Sequence, residues 1–257
     1  MQSSVSDDDH TLDLPTIRQV DISEPLRWLE AGWQDFRRMS LFSGFYGLVF
    51  ILLGYALTAA TWQSPILVMT FVTGFFLISP FLALGLYHLS RQREQGVSVS
   101  FMQSLLAFRE RQFDMALLVT FHAVVMVAWI RLTTLLSALY LSGTSSSVSV
   151  LIDELFNTPE GLGMFALFVL TGAALAILVF VISVVSWPML LDRQSGVINA
   201  VATSVQVVNH NKLVMVLWAV LIVGLLSIGL ATLYLGLLII MPVLGHATWH
   251  AYRSLVA

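Results

Sequence analysis

The sequence predicts an all-α fold, a polytopic membrane helical bundle of about six transmembrane helices, on three observations. The first is composition: of 257 residues, 58% are hydrophobic and 11% charged, and the mean hydropathy is +0.86. A soluble domain carries about 25% charged residues, so these charges are too few to build a water-facing surface. The second is the length of the apolar runs, which reach the roughly 20 residues a helix needs to cross a hydrocarbon core. The third is the placement of basic residues. In a six-span layout Arg18, Arg27, Arg37, Arg38, Arg91, Arg93, Arg109, Arg111, Arg193, Lys212 and Arg253 all fall on one side. That bias marks the cytoplasmic side and puts both termini there.

The first 39 residues are polar and include Asp7-Asp8-Asp9, with no apolar core near the start. No cleavable signal peptide is expected. Residues 1–23 are expected to be a disordered cytoplasmic tail, and residues 24–257 a six-span integral membrane domain. Residues 24–39 form a short amphipathic segment. Span one is Leu41 to Thr61, closed by a turn at Trp62-Gln63-Ser64-Pro65. Span two runs from about Ile66 to Leu89 and contains Pro80. A polar stretch, Ser90 to Asp114, leads to span three, about Met115 to Leu141. Ser142–Ser147 is a Gly/Ser/Thr linker, and Val148–Phe156 suits a short surface helix. Thr158-Pro159-Glu160 has the chemistry of a helix start, with Thr as N-cap and Pro in the first position. Span four is Leu162 to Leu191. The last apolar block, Leu213 to Trp249, suits a tight helical hairpin turning near Gly229–Tyr234; a single long helix or a re-entrant pair is the alternative.

A unit repeats along the chain. Val97, Phe101, Leu105 and Phe108 fall at i, i+4, i+8 and i+11, one stripe of a helix, and Val197, Val201, Val205 and Val208 repeat that spacing. Leu29, Trp33 and Phe36 repeat its last three positions before span one. Arg93/Arg193, Gly96/Gly196 and Ser104/Ser204 match at the same offset, and Pro80, Pro188 and Pro242 each mark an even-numbered span. The expected architecture is three units, each an interfacial amphipathic helix followed by a transmembrane hairpin.

The stretch from Gly236 to Arg253, Gly-Leu-x-x-x-Met-Pro-x-Leu-Gly-His-Ala-Thr-Trp-His-Ala-Tyr-Arg, and the Trp33-x-Asp35-Phe36 entry to span one resemble an uncharacterised bacterial family of predicted integral membrane proteins, some of whose members are labelled cytochrome c oxidase subunit I-like. The resemblance covers the chain from about residue 15 onward. It implies the fold and the bacterial inner membrane, and carries no site. A haem–copper catalytic subunit needs about twice as many spans and six histidine ligands within them. This chain has six histidines in all. His10 is in the tail, His88, His210 and His250 are at membrane edges, and only His122 and His246 lie at membrane depth. An oxidase accessory or assembly partner is the reading this leaves.

The chain has no cysteine, which excludes disulfides, thiolate metal sites and iron–sulfur clusters. No catalytic residue, cofactor or nucleic-acid partner is expected; the expected partners are the lipid bilayer and other membrane subunits. His246 and His250, four apart on one helix face, are the weak candidates for a metal or haem edge; an interfacial pair beside Trp249 and Tyr252 is the favoured reading. Arg131, the one basic residue inside a span, is expected to pair with Asp153, Glu154 or Glu160. His122 is expected to be a packed polar residue. Gly44, Gly47, Gly54 and Gly172 sit at helix-contact spacings. The functional expectation is a non-enzymatic accessory, assembly or scaffold component of a membrane complex. The alternative is a small-solute or lipid transporter or channel.

Overall fold

The computed structural model describes residues 14–77, 79–141 and 147–257, and among them every regular element is a helix apart from one isolated β-bridge. The helices are α1 (Glu24–Arg38), α2 (Ser40–Thr61), α3 (Pro65–Phe75), α4 (Ser79–Leu82), α5 (Leu84–Glu94) and α6 (Phe101–Leu105). A 3-10 turn, Ala107–Arg111, leads into α7 (Gln112–Tyr140). Then come α8 (Val148–Asn157), α9 (Pro159–Ser183), α10 (Ser186–Asp192), α11 (Val197–His210), α12 (Lys212–Ala231) and α13 (Leu237–Leu255). This is an all-α membrane bundle. Among the described residues four helical stretches are long and apolar enough to cross a membrane: Ser40–Thr61, Ala107–Tyr140, Pro159–Asp192 and Lys212–Ala231. Two of these stretches, α7 and α9–α10, pair with each other, and the other two pair with limbs that are shorter or more polar, α2 with α3–α5 and α12 with α13. An amphipathic helix precedes each pair: α1, α6 with its 3-10 turn, and α11.

The prolines explain why two of the return limbs are broken. A proline lacks its N–H and its ring clashes with the carbonyl four residues back. For Pro80 that residue is Phe76, and α3 ends at Phe75. For Pro188 it is Val184, and α9 ends at Ser183. Ser204 repairs the second break: its hydroxyl accepts from Val185 N at 3.3 Å and donates to Val181 O at 2.7 Å, taking both halves of the opened i, i+4 pair. For Pro242 the residue four back is Leu238, in the first turn of α13, so the helix runs through unbroken. There α2 comes close enough that a Cβ on Gly47 would run into the Leu238 carbonyl.

The last hairpin turns where the sequence places it. α12 ends at Ala231, Leu233 and Tyr234 take positive φ (53° and 68°), and α13 starts at Leu237. Thr158 caps α9 by accepting from Gly161 N at 2.9 Å. α8 is the short helix expected over Val148–Phe156, one residue longer; the linker residues 142–146 lie outside the described residues. Two expectations need correction. Residues 16–20, assigned to the tail, are held: Ile17 bridges Val256, Arg18 N donates to Leu255 O, and Asn211 Oδ1 accepts from Val20 N. Backbone partners left open at the end of α13 make that possible; residues 1–13 lie outside the described residues. Gly44, read as a packing glycine, faces open space.

Along the chain's packing the limbs neighbour one another in the order α12, α13, α2, α3, α7, α9. The main core lies at the end of the bundle where residues 16–20 meet the C-terminal residues. It joins Trp28, Leu86, Leu89, Trp187, Met215, Trp218 and Tyr252 across five elements. Two smaller clusters fill the far halves, one around Phe50, Phe75 and Met241, the other around Trp129, Met164 and Phe168.

A candidate functional site at a four-helix junction

The candidate site forms where α1, α2, α5 and α13 meet. α1 is brought in by the face Trp28, Gly32, Asp35 and Met39, which is buried. Gly32 lets it approach, since a Cβ there would collide with the α13 backbone at Val243 and Ala247. That contact carries Asp35, 1% exposed, into the interior. Leu29, Trp33 and Phe36 flank this face rather than form it; Trp33 stacks on Phe36 and is exposed.

Around Asp35 the polar groups form one chain. Ser43 Oγ lies 2.8 Å from His246 Nε2, His246 Nδ1 lies 2.7 Å from Ser90 Oγ, and Ser90 donates to Asp35 Oδ2 at 2.6 Å. His250 Nε2 reaches the same oxygen at 3.0 Å, and Arg93 pairs with Oδ1. Counting protons fixes the direction. Ser90 has one hydroxyl proton and gives it to the carboxylate, so it must accept from His246, whose Nδ1 therefore carries hydrogen. The other nitrogen of the neutral ring then accepts from Ser43. The hydrogen bonds run one way, from Ser43 through His246 and Ser90 to Asp35, and each donor polarises the next. This is the polarity of a serine–histidine–aspartate relay with a second hydroxyl inserted. Ser43 and His246 are 0% exposed and Ser90 1%, so the whole chain of hydrogen bonds lies in the interior.

A ring of ion pairs surrounds the junction. Arg253 pairs with Glu94 at 2.9 Å and Asp192 at 3.3 Å, and Arg91 with Glu110 at 2.9 Å; His88 Nε2 lies within hydrogen-bond distance of Glu110, at 3.1 Å. Trp249 donates to Glu94 and Tyr252 to Asp192. A cleft of about 180 Å³ opens between Arg91, Glu94, Asp192, Trp249 and Arg253, whose charges already oppose one another.

The other expected residues lie apart from the junction. His122 donates through Nδ1 to Leu118 O at 2.7 Å and accepts from Ser183 at 3.0 Å. Arg131 is exposed on α7 and makes no salt bridge among the described residues, so the expected pair with Asp153, Glu154 or Glu160 is not formed; Asp153 instead accepts from Asn157. His246 and His250 sit in one site, but His246 uses both nitrogens on Ser43 and Ser90 and His250 uses Nε2 on Asp35, and no group of three His, Cys, Asp or Glu able to hold a metal occurs among the described residues.

The bundle and its long apolar limbs agree with what the chain is similar to. Residues 67–192 match the family model described as "Predicted integral membrane protein (DUF2189)". That is the uncharacterised integral membrane family the sequence resembles. The match runs from α3 through α10, so it takes in Ser90, Arg93, His122 and Arg131 and leaves Asp35, Ser43, His246 and His250 outside. No curated protein and no solved structure matches the chain.

Asp35, Ser43, Ser90 and Arg93 were missed by the sequence reading. A signal for Asp35 was available: positions 28, 32, 35 and 39 form a stripe as regular as 29, 33 and 36, with a glycine in it to admit a neighbour. The two serines carried no signal, because serines are common in membrane helices and only the fold sets them against His246.

Proposed function

We propose that this integral membrane protein is non-enzymatic and acts by association, as an accessory, assembly or scaffold component of a larger membrane complex. We place it in the bacterial inner membrane with both termini cytoplasmic, and a respiratory complex is the first candidate assembly. One observation carries the reading: the chemistry-bearing groups are spent on one another. Both nitrogens of His246 and both oxygens of Asp35 have partners inside the junction. In contrast, the most apolar windows of the four long limbs are only 11–33% buried, leaving broad apolar faces for lipid or another subunit. The second reading, a small-solute or lipid transporter or channel, is favoured by the breaks before Pro80 and Pro188, since discontinuous helices build transport sites. The break before Pro188 is capped internally by Ser204, and that favours the first reading.

The test is purification of the tagged protein from its native membranes in mild detergent, with a visible spectrum of the eluate. Stoichiometric membrane subunits are expected to co-purify, with a haem spectrum if the assembly is respiratory. A colourless protein eluting alone would overturn the accessory reading and favour transport.

A further inference from the structure

We propose that Arg131 is a phosphate site for a phospholipid in the leaflet opposite the chain ends. The inference rests on where α7 points this side chain. Val125, Trp129, Thr133 and Leu136 are the buried face of α7. Arg131 lies on the other face, in line with Val124, Val127 and Leu135, which are 63%, 57% and 54% exposed. A stripe of aliphatic side chains turned away from the bundle faces acyl chains, and the guanidinium sits within it.

That charge cannot be discharged by losing its proton, and none of the described residues forms a salt bridge, hydrogen bond or cation–π contact with it. Residues 142–146 contain no acidic side chain. An unpaired cation in hydrocarbon is costly, and with no counter-charge among the described residues we assign it to a group outside them. Depth selects the source. Counting from Met115, Arg131 is about 24 Å along the helix at 1.5 Å per residue, in a core about 30 Å thick. The far headgroups are therefore one side-chain length away, and arginine snorkels to such a level with its stem on the apolar face. The planar guanidinium matches two phosphate oxygens at once, which an ammonium cannot do. One phospholipid is held by its phosphate, with its chains along Val124, Val127 and Leu135.

Native mass spectrometry of the detergent-purified protein reads this directly. The wild type is expected to retain one phospholipid per chain under conditions that strip the rest. Arg131→Leu, which places an aliphatic side chain among aliphatic neighbours, is expected to lower that occupancy about tenfold, and Arg131→Lys to lower it less. Unchanged retention in Arg131→Leu overturns the proposal. So does a variant that keeps its lipid but loses a membrane protein that co-purifies with the wild type, because the counter-charge is then a partner's carboxylate. Should Arg131→Leu fail to accumulate, the wild type decides alone: its melting temperature must be higher in phospholipid discs than in discs of phosphate-free glycolipid. Equal values in the two overturn the site.

Discussion

Asp35 is the residue on which the junction depends, because it is a buried carboxylate that receives three donors from two other helices: Ser90 and Arg93 on α5, and His250 on α13. Replacing it by Asn keeps the shape and removes the charge. Breaking a buried ion pair costs about 3–5 kcal/mol; Arg93 is 27% exposed and can turn to water, so about 2 kcal/mol is the expected loss for Asp35→Asn. Thermal unfolding in detergent checks it, and a melting temperature equal to wild type would mean that the carboxylate is not carrying the contact. Ser90→Ala strands the His246 Nδ1 hydrogen and one Asp35 lone pair together. It is expected to cost about 1–3 kcal/mol, the range for an unsatisfied buried polar group. Ser43→Ala removes a single hydroxyl from the open end of the chain and is expected to cost less than Ser90→Ala in the same measurement. A cost for Ser43→Ala equal to or above that of Ser90→Ala would contradict the direction assigned to the hydrogen bonds.

At the scale of elements, the return limbs show how a membrane helix survives a proline. Where an i, i+4 pair is opened, the freed groups need partners, since lipid offers none. Ser204 supplies both at the α9–α10 break, from an amphipathic helix that follows in sequence. Ser204→Ala is therefore expected to destabilise the protein by about 1–3 kcal/mol, more than Thr203→Val one position before it, whose hydroxyl bonds only within its own helix. Equal losses in thermal unfolding would count against the repair. The turn of the last hairpin offers the opposite sign. Leu233 holds φ at 53° and is exposed, a conformation that costs a non-glycine residue about 1–2 kcal/mol and that asparagine tolerates better. Leu233→Asn is expected to raise the melting temperature slightly. The sequence made the proline positions, the cap at Thr158 and this turn legible, because each is a local signal carried by residue type. It also supplied the Ser104/Ser204 match. It did not indicate that Ser204 closes a helix break, because that depends on which span the amphipathic helix lies against. Nor did it distinguish the face of α1 that packs from the face beside it, since both are regular and both carry aromatic residues.

The whole molecule is a row of limbs joined most firmly at one end. The large core, the Asp35 junction, the ring of ion pairs, residues 16–20 and the C-terminal residues lie together there, while the far halves of the limbs meet in two smaller clusters. The amphipathic helices account for this asymmetry: each adds polar and apolar contacts at the end where its hairpin begins, and none is added at the far end except α8. A bundle built this way must present its connections alternately. Gln95 and Gln194 belong with the chain ends, and Gln63 and Leu233 with the opposite side. The absence of cysteine makes that testable without background. Single cysteines at these four positions, labelled in intact inner-membrane vesicles of known orientation by an impermeant maleimide, are expected to divide two and two. In the proposed orientation the pair at 95 and 194 should react from the cytoplasmic side. Position 233 is the informative one. Reaction from the same side as Gln194 would mean that α12 does not cross, which would reduce the bundle by one hairpin and leave the exposed faces of α12 and α13 to be explained as an interfacial pair.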